Sequence, residues 1–211
     1  MCVERINKLY NLNIKNDNIY KFIFSLQAAY TTLLKLIVFD SFLDDKKLNF
    51  NKKQFISLMN GESIEKAIGK KIWSIDWFFI ITNYWDKIGT SINNFNYDIL
   101  EYKDNEKIDY SVAEEFKKLY EYLFPKEIRH SLGEYYTPFW LADDIYKNIS
   151  ENNIINSTTT FIDPTCGAGV FLECLLKNNT DISTNNIYGF DLNLIAVLTT
   201  KIVIIYNRGI K

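Results

Sequence analysis

Hydrophobic positions along the chain follow two regimes. Up to about residue 124 they recur at helical intervals. Phe22, Leu26, Ala29, Leu33, Leu36, Ile37 and Phe39 lie close to a period of about 3.6 residues, which predicts a helix carrying those residues on one face. The stretch around them, FIFSLQAAYTTLLKLIVFDSFL, is the most apolar in the chain, yet Gln27 and Lys35 interrupt it and Lys21 and Asp40 flank it. It falls short of the roughly 20 unbroken apolar residues of a membrane helix and reads as a buried helix of a soluble, cytoplasmic protein. Residues 70–89, KKIWSIDWFFIITNYWDKIG, are apolar without strict alternation, and their length favours helix over strand. Residues 90–110 are polar and Asn-rich and read as loop. In SVAEEFKKLYEYLFP, Ser111 and Glu114 have capping-box spacing, Val112, Phe116, Leu119, Tyr120 and Leu123 line one face, and Pro125 stops the helix.

From residue 130 the pattern changes. SLGEYYTPFWLADDIYKNI reads as a loop and then a helix, with Thr137 as N-cap, Pro138 as first helical residue, and Leu141, Ile145 and Ile149 as a buried stripe. TTTFID has the β-branched and aromatic make-up of a short strand. A helix over 168–177 follows, with Leu172, Leu175 and Leu176 inward and Asn178-Asn179 at its end. NIYGFDL reads as a second strand and 193–207 as a further helix. Strand, glycine turn, helix, strand, helix is the start of a parallel α/β sheet. The sequence thus divides into a helical domain, 1–124, and a partial α/β domain, 125–211.

Composition narrows the class. The apolar fraction of 47% and charged fraction of 24% are those of a globular protein. A net charge of −2 does not advertise nucleic-acid binding, so a role on DNA would rest on a local patch or another part. Three cysteines, Cys2, Cys166 and Cys174, fit a reducing compartment rather than a disulfide scaffold.

The chemistry concentrates in FIDPTCGAGVF, residues 161–171. Ligands of open α/β sheets sit at the carboxyl ends of the strands, where Asp163 and Asp191 are expected. A carboxylate there can accept both hydroxyls of a ribose. Glycines between strand and helix admit a ligand that a Cβ would exclude. The pattern therefore points to a nucleoside-containing cofactor. The dinucleotide fingerprint G-x-G-x-x-G fits poorly, because Leu172 stands where its third glycine belongs. A pyrophosphate at a helix start also wants amide donors rather than a carboxylate. A cofactor bearing a sulfonium and an ammonium tolerates the carboxylate, so S-adenosylmethionine fits better.

DPTCGAGVF resembles the D-P-x-C-G-x-G-x-F motif of adenine-N6 DNA methyltransferases, LGEYYTPFWLADDI resembles their G-x-Y-Y-T-P motif, and YGFDLNLIAV resembles their ribose-acid segment. All three occur in the family's order, over roughly residues 110–211. The combination is most similar to fused restriction-modification and related phage-defence methyltransferases. The resemblance implies a Rossmann-like methyltransferase fold, incomplete here. It implies that Tyr136, Thr137 and Pro138 border the methionine end of the cofactor. Asp163, Pro164, Cys166, Gly167 and Gly169 would form the turn beneath it, with Phe171 packing the helix start. Asp191 would bind the ribose hydroxyls, with Leu192 beside the adenine. Leu194 departs from the family's proline, which should loosen the helix start.

The larger departure is the family's catalytic (Asn/Asp)-Pro-Pro-(Tyr/Phe) loop. Its polar side chain and a prolyl carbonyl accept hydrogen bonds from the adenine amino group, and its ring stacks on the flipped base. No Pro-Pro occurs in the chain, so none of its residues is assigned a catalytic role. The expectation is an N-terminal piece of a larger enzyme, meeting DNA and completing catalysis through a missing or partner part. The alternatives are a non-catalytic cofactor-binding fragment acting through a partner chain, and a related methyltransferase acting on RNA or protein. Bland readings apply elsewhere. Cys166 reads as a packed turn residue, Cys174 as core, His130 as a polar loop residue, Asp143-Asp144 as a solvated face without a metal, and Trp73, Trp77 and Trp85 as core.

Overall fold

The computed structural model of the chain describes residues 3–15, 18–41, 49–69, 76–94, 111–124, 126–131, 134–152 and 155–208. Cys2, Trp73, Pro125 and the expected loop from residue 95 to 110 lie outside them. In chain order the elements are α1 (Val3–Tyr10), α2 (Ile19–Ser41), α3 (Lys52–Met59), α4 (Glu62–Ile68), a 3-10 helix (Trp77–Tyr84), α5 (Trp85–Asn93), α6 (Val112–Leu123), α7 (Lys126–Ser131), α8 (Phe139–Asn152), β1 (Phe161–Asp163), α9 (Val170–Asn178), β2 (Ile187–Gly189) and α10 (Leu194–Arg208), with a short 3-10 turn (Thr184–Asn186) before β2. They form two compact units, residues 27–110, and residues 1–26 with 111–210.

In the 27–110 unit, Tyr30, Leu34, Leu36, Ile37 and Val38 of α2 are buried. The expected stripe holds at Leu36 and Ile37 and fails at Ala29, which is exposed. Between residues 30 and 38 nearly every position is covered, and a helix enclosed on most sides carries no informative period. By length and composition Ile19–Phe39 is apolar enough to cross a membrane, contrary to the expectation, and half of its most apolar window is buried inside the protein. Lys35 is one of the buried residues. Its ammonium donates to the Met59 carbonyl (2.6 Å) and to Asp76 Oδ2 (2.5 Å). Burial pushes the Lys35 pKa down, and the Asp76 carboxylate opposes that shift. Asp76 also caps the 3-10 helix, accepting from the Phe78 amide at 2.9 Å.

The 70–89 segment is helical over its described part, as a 3-10 stretch running into α5. Helix α5 continues to Asn93, where a loop was expected, and the Asn93 side chain both accepts from and donates to the Phe50 backbone. Trp85 stacks near Phe55, ring centroids 5.1 Å apart. Trp77 is 80% exposed rather than core, because burial on this element falls on its neighbours Asp76 and Phe78 instead.

In the second unit, Ser111 caps α6 as expected, accepting from the Glu114 amide at 3.0 Å. Its buried side chains are Ala113, Phe116 and Tyr120. Helix α9 packs against α8, α10 and α6. The two strands pair in parallel with Asp163 opposite Gly189. Leu172, Leu175 and Leu176 are buried as predicted. The α8 stripe is not: Leu141, Ile145 and Ile149 are 37%, 40% and 48% exposed, while Ala142 and Tyr146 are buried. Tyr146 meets the Asn179 side chain at the end of α9, so α8 seats a different face. Helix α8 also begins one residue later than expected. Pro138 supplies the first accepting carbonyl, and Glu114 Oε1 accepts from the Phe139 amide at 2.8 Å.

Candidate functional site

The parallel pairing brings Asp163 and Asp191 to the same end of the sheet. Beyond β1 the chain turns through residues 164–169 into α9. The Cys166 amide donates to the Phe190 carbonyl (2.8 Å), the Phe190 amide to the Asp163 carbonyl (2.9 Å), and the Gly169 amide to the Cys166 carbonyl (2.7 Å). The turn is thereby stitched to the segment leaving β2. Thr200 on α10 donates to the Gly167 carbonyl at 2.9 Å.

Both turn glycines adopt positive φ, +52° at Gly167 and +87° at Gly169. Their surroundings differ. A Cβ on Gly169 would sit 3.0 Å from Thr200 Oγ1 and 3.2 Å from its Cα, whereas one on Gly167 would meet only the Tyr136 ring at 3.8 Å. Gly169 therefore serves helix–helix approach, and Gly167 leaves room beside Tyr136.

Asp191 is fixed by two backbone amides. Its Oδ2 accepts from Gly167 (3.0 Å) and its Oδ1 from Asn193 (2.8 Å). Each oxygen keeps a lone pair. Asp163 is different. Its Oδ1 accepts from the Thr165 amide at 3.1 Å, while its buried Oδ2 has no hydrogen-bond partner. Burial raises the Asp163 pKa, and the nearby Asp191 charge adds to the rise.

Leu194 does not leave α10 uncapped. The Asn193 side chain accepts from the Ile195 amide at 2.9 Å and its carbonyl from Val197 at 3.1 Å. Asn193 in turn donates to Glu134 Oε1 (2.5 Å), which also accepts from the Tyr120 hydroxyl (3.0 Å). Glu134 was missed in the sequence. Its partners, Tyr120 and Asn193, lie 14 and 59 residues away, beyond any local motif. Its Oε2 is buried without a partner, and burial raises its pKa.

A small cleft, with a volume of about 40 Å³, opens beside the turn. It is lined by Ala113, Glu114 and Lys117 of α6, by Tyr135, Tyr136 and Thr137, and by Thr165, Cys166, Gly167, Ala168, Val170 and Phe171. Five expected site residues, Tyr136, Thr137, Cys166, Gly167 and Phe171, thus share one cavity, while Asp163, Asp191 and Leu192 lie at the strand ends outside its lining. Pro138 stands at the start of α8 and Pro164 is exposed within the turn. Leu192 is fully exposed.

Cys166 is buried, and desolvation raises its thiol pKa above the usual value. A protonated, covered thiol is a packing residue, not a nucleophile. Cys174 is fully buried and its pKa is pushed up to about 12. His130 is exposed and stacks on Tyr135, centroids 4.8 Å apart, but on helix α7 rather than in a loop. Asp144 is exposed and Asp143 pairs with Lys147 at 2.6 Å. No metal-holding group of His, Cys, Asp or Glu occurs among the described residues.

No curated protein and no solved structure gives a match to the chain. The family model described as N-6 DNA methylase matches residues 111–209, the segment that carries the glycine turn, both strand-end carboxylates and the cleft. That segment, and no other part of the chain, is thus similar to the N-6 DNA methylase family.

Proposed function

We propose that this chain is the cofactor-binding front of a site-specific adenine-N6 DNA methyltransferase of the restriction-modification type. S-adenosylmethionine is its methyl donor. The observation that carries the reading is Asp163 Oδ2, a buried carboxylate oxygen with no partner at the mouth of a parallel sheet. Such an atom costs free energy unless a ligand donor or cation meets it. The sulfonium and ammonium of S-adenosylmethionine suit it, and a pyrophosphate does not.

When bound, the cofactor supplies an electrophilic methyl group. Tyr136, Thr137 and Pro138 border its methionine end. Gly167 and Gly169 shape the turn, with Pro164 and Cys166 holding its form and Phe171 closing the helix start. Asp191, already oriented by two amides, accepts the ribose hydroxyls, and Leu192 lies against the adenine. The two-stranded sheet is the first part of a Rossmann-like fold in this reading. Because no Pro-Pro occurs in the chain, the base-holding loop and DNA contacts come from another segment or a partner polypeptide. A cytoplasmic location fits the two buried free thiols, Cys166 and Cys174.

The test mixes the full chain with a polypeptide carrying the (Asn/Asp)-Pro-Pro-(Tyr/Phe) loop and adds DNA and methyl-labelled cofactor. Label on adenine N6, absent from either polypeptide alone, is the expected result. Absence of transfer in the mixture, with cofactor bound, favours a non-catalytic cofactor-binding fragment.

A further inference from the structure

The cleft beside the glycine turn has one cation and one anion in its lining, Lys117 and Glu114, both from α6. Everything else that lines it is uncharged. The two are not a tight pair. Their separation is 3.5 Å, longer than the roughly 2.7–2.9 Å of a good ammonium–carboxylate hydrogen bond. Glu114 Oε1 is already engaged at 2.8 Å by the Phe139 amide. The Lys117 side chain is only 16% exposed, so its charge is held at the cleft rather than dispersed in solvent. Val170 and Phe171, the first residues of α9, line the same cavity, and the first amides of a helix have no acceptor within it.

We propose that Lys117 binds the α-carboxylate of the cofactor's amino-acid end. This rests on the S-adenosylmethionine reading above and extends the binding site onto α6. The chemistry is direct. A methionine-type end is a zwitterion, and the cavity that borders Tyr136 and Thr137 offers one Lys ammonium beside the start of a helix, where the macrodipole favours negative charge. Lys117 gives up a long contact to Glu114 and gains a carboxylate. Helix α6 thereby recognises the cofactor as well as packing on α9.

The test compares two ligands on the full chain by calorimetry: S-adenosylhomocysteine, and its decarboxylated analogue, which keeps the adenosine, thioether and ammonium. Lys117→Met should weaken S-adenosylhomocysteine by roughly 10- to 100-fold, the loss of one charge-assisted hydrogen bond. It should leave the analogue unchanged, which also reports that the variant is folded. Lys117→Arg should recover much of the loss. Equal weakening of both ligands, or of neither, overturns the assignment while leaving the cofactor reading intact. A wild-type chain that binds neither ligand overturns both.

Discussion

Glu173 makes the most specific stability prediction. It lies on α9 among leucines, fully buried. Its Oε2 accepts from the Ser111 hydroxyl (2.5 Å) and the Ala113 amide (3.0 Å), and its Oε1 accepts from the Val112 amide (2.7 Å). Asn207 approaches Oε1 at 3.3 Å and Lys177 at 3.6 Å. A carboxylate of one helix thus closes the start of another, where the macrodipole favours negative charge. In Glu173→Gln only one oxygen remains, and the new NH₂ faces an amide or hydroxyl donor. One or two charge-assisted bonds are lost at about 1.5–3 kcal/mol each, so the variant should be destabilised by roughly 1.5–6 kcal/mol. That is a large share of the roughly 5–15 kcal/mol available to a domain. Urea titration of the full chain, followed by circular dichroism, measures it. Ser111→Ala should cost about 1 kcal/mol alone, and the two changes should be strongly non-additive, because they remove the same bond. A Gln variant within about 1 kcal/mol of wild type would refute the tertiary cap.

Other expectations follow from the same geometry. Asp76→Asn should cost about 3–5 kcal/mol by leaving the Lys35 charge buried and uncompensated, and Lys35→Met on top of it should recover most of that loss in a denaturant titration. Gly167→Ala should cost about 1–2 kcal/mol for its left-handed backbone, and Gly169→Ala distinctly more, since its Cβ also meets Thr200; thermal melts of the two rank them. The raised Asp163 pKa means that the free protein holds a proton there at pH values where an ordinary aspartate is ionised. Binding a cationic group must release that proton, so S-adenosylmethionine affinity should rise with pH from the ordinary carboxylate range up through the raised value and then level off. Calorimetry across that range should show the rise in wild type and a flat profile in Asp163→Asn.

Local signals in the sequence placed the glycine turn, the α6 start and the α9 core correctly, because each depends on residues within a few positions of one another. Ser111 capped its own helix, and Leu172, Leu175 and Leu176 faced inward as their spacing required. What escaped depended on distance. Glu173 looks like an ordinary charged position on a leucine-rich helix, and its role appears only when α6 lies across it. Glu134 sits in the quoted tyrosine-threonine-proline segment, yet its meaning comes from Tyr120 and Asn193. Periodicity also reports which residues are apolar, not which are covered. Leu141, Ile145 and Ile149 kept a helical stripe but the contact fell on Ala142 and Tyr146. Trp77 was expected in the core on size alone, whereas its neighbours Asp76 and Phe78 took the buried positions.

Calorimetric titration of the full chain with S-adenosylmethionine tests the central claim most directly. The account predicts one site, competed by S-adenosylhomocysteine, indifferent to a nicotinamide dinucleotide, and lost in Asp191→Ala. No binding, displacement by the dinucleotide, or unchanged affinity in Asp191→Ala would contradict it.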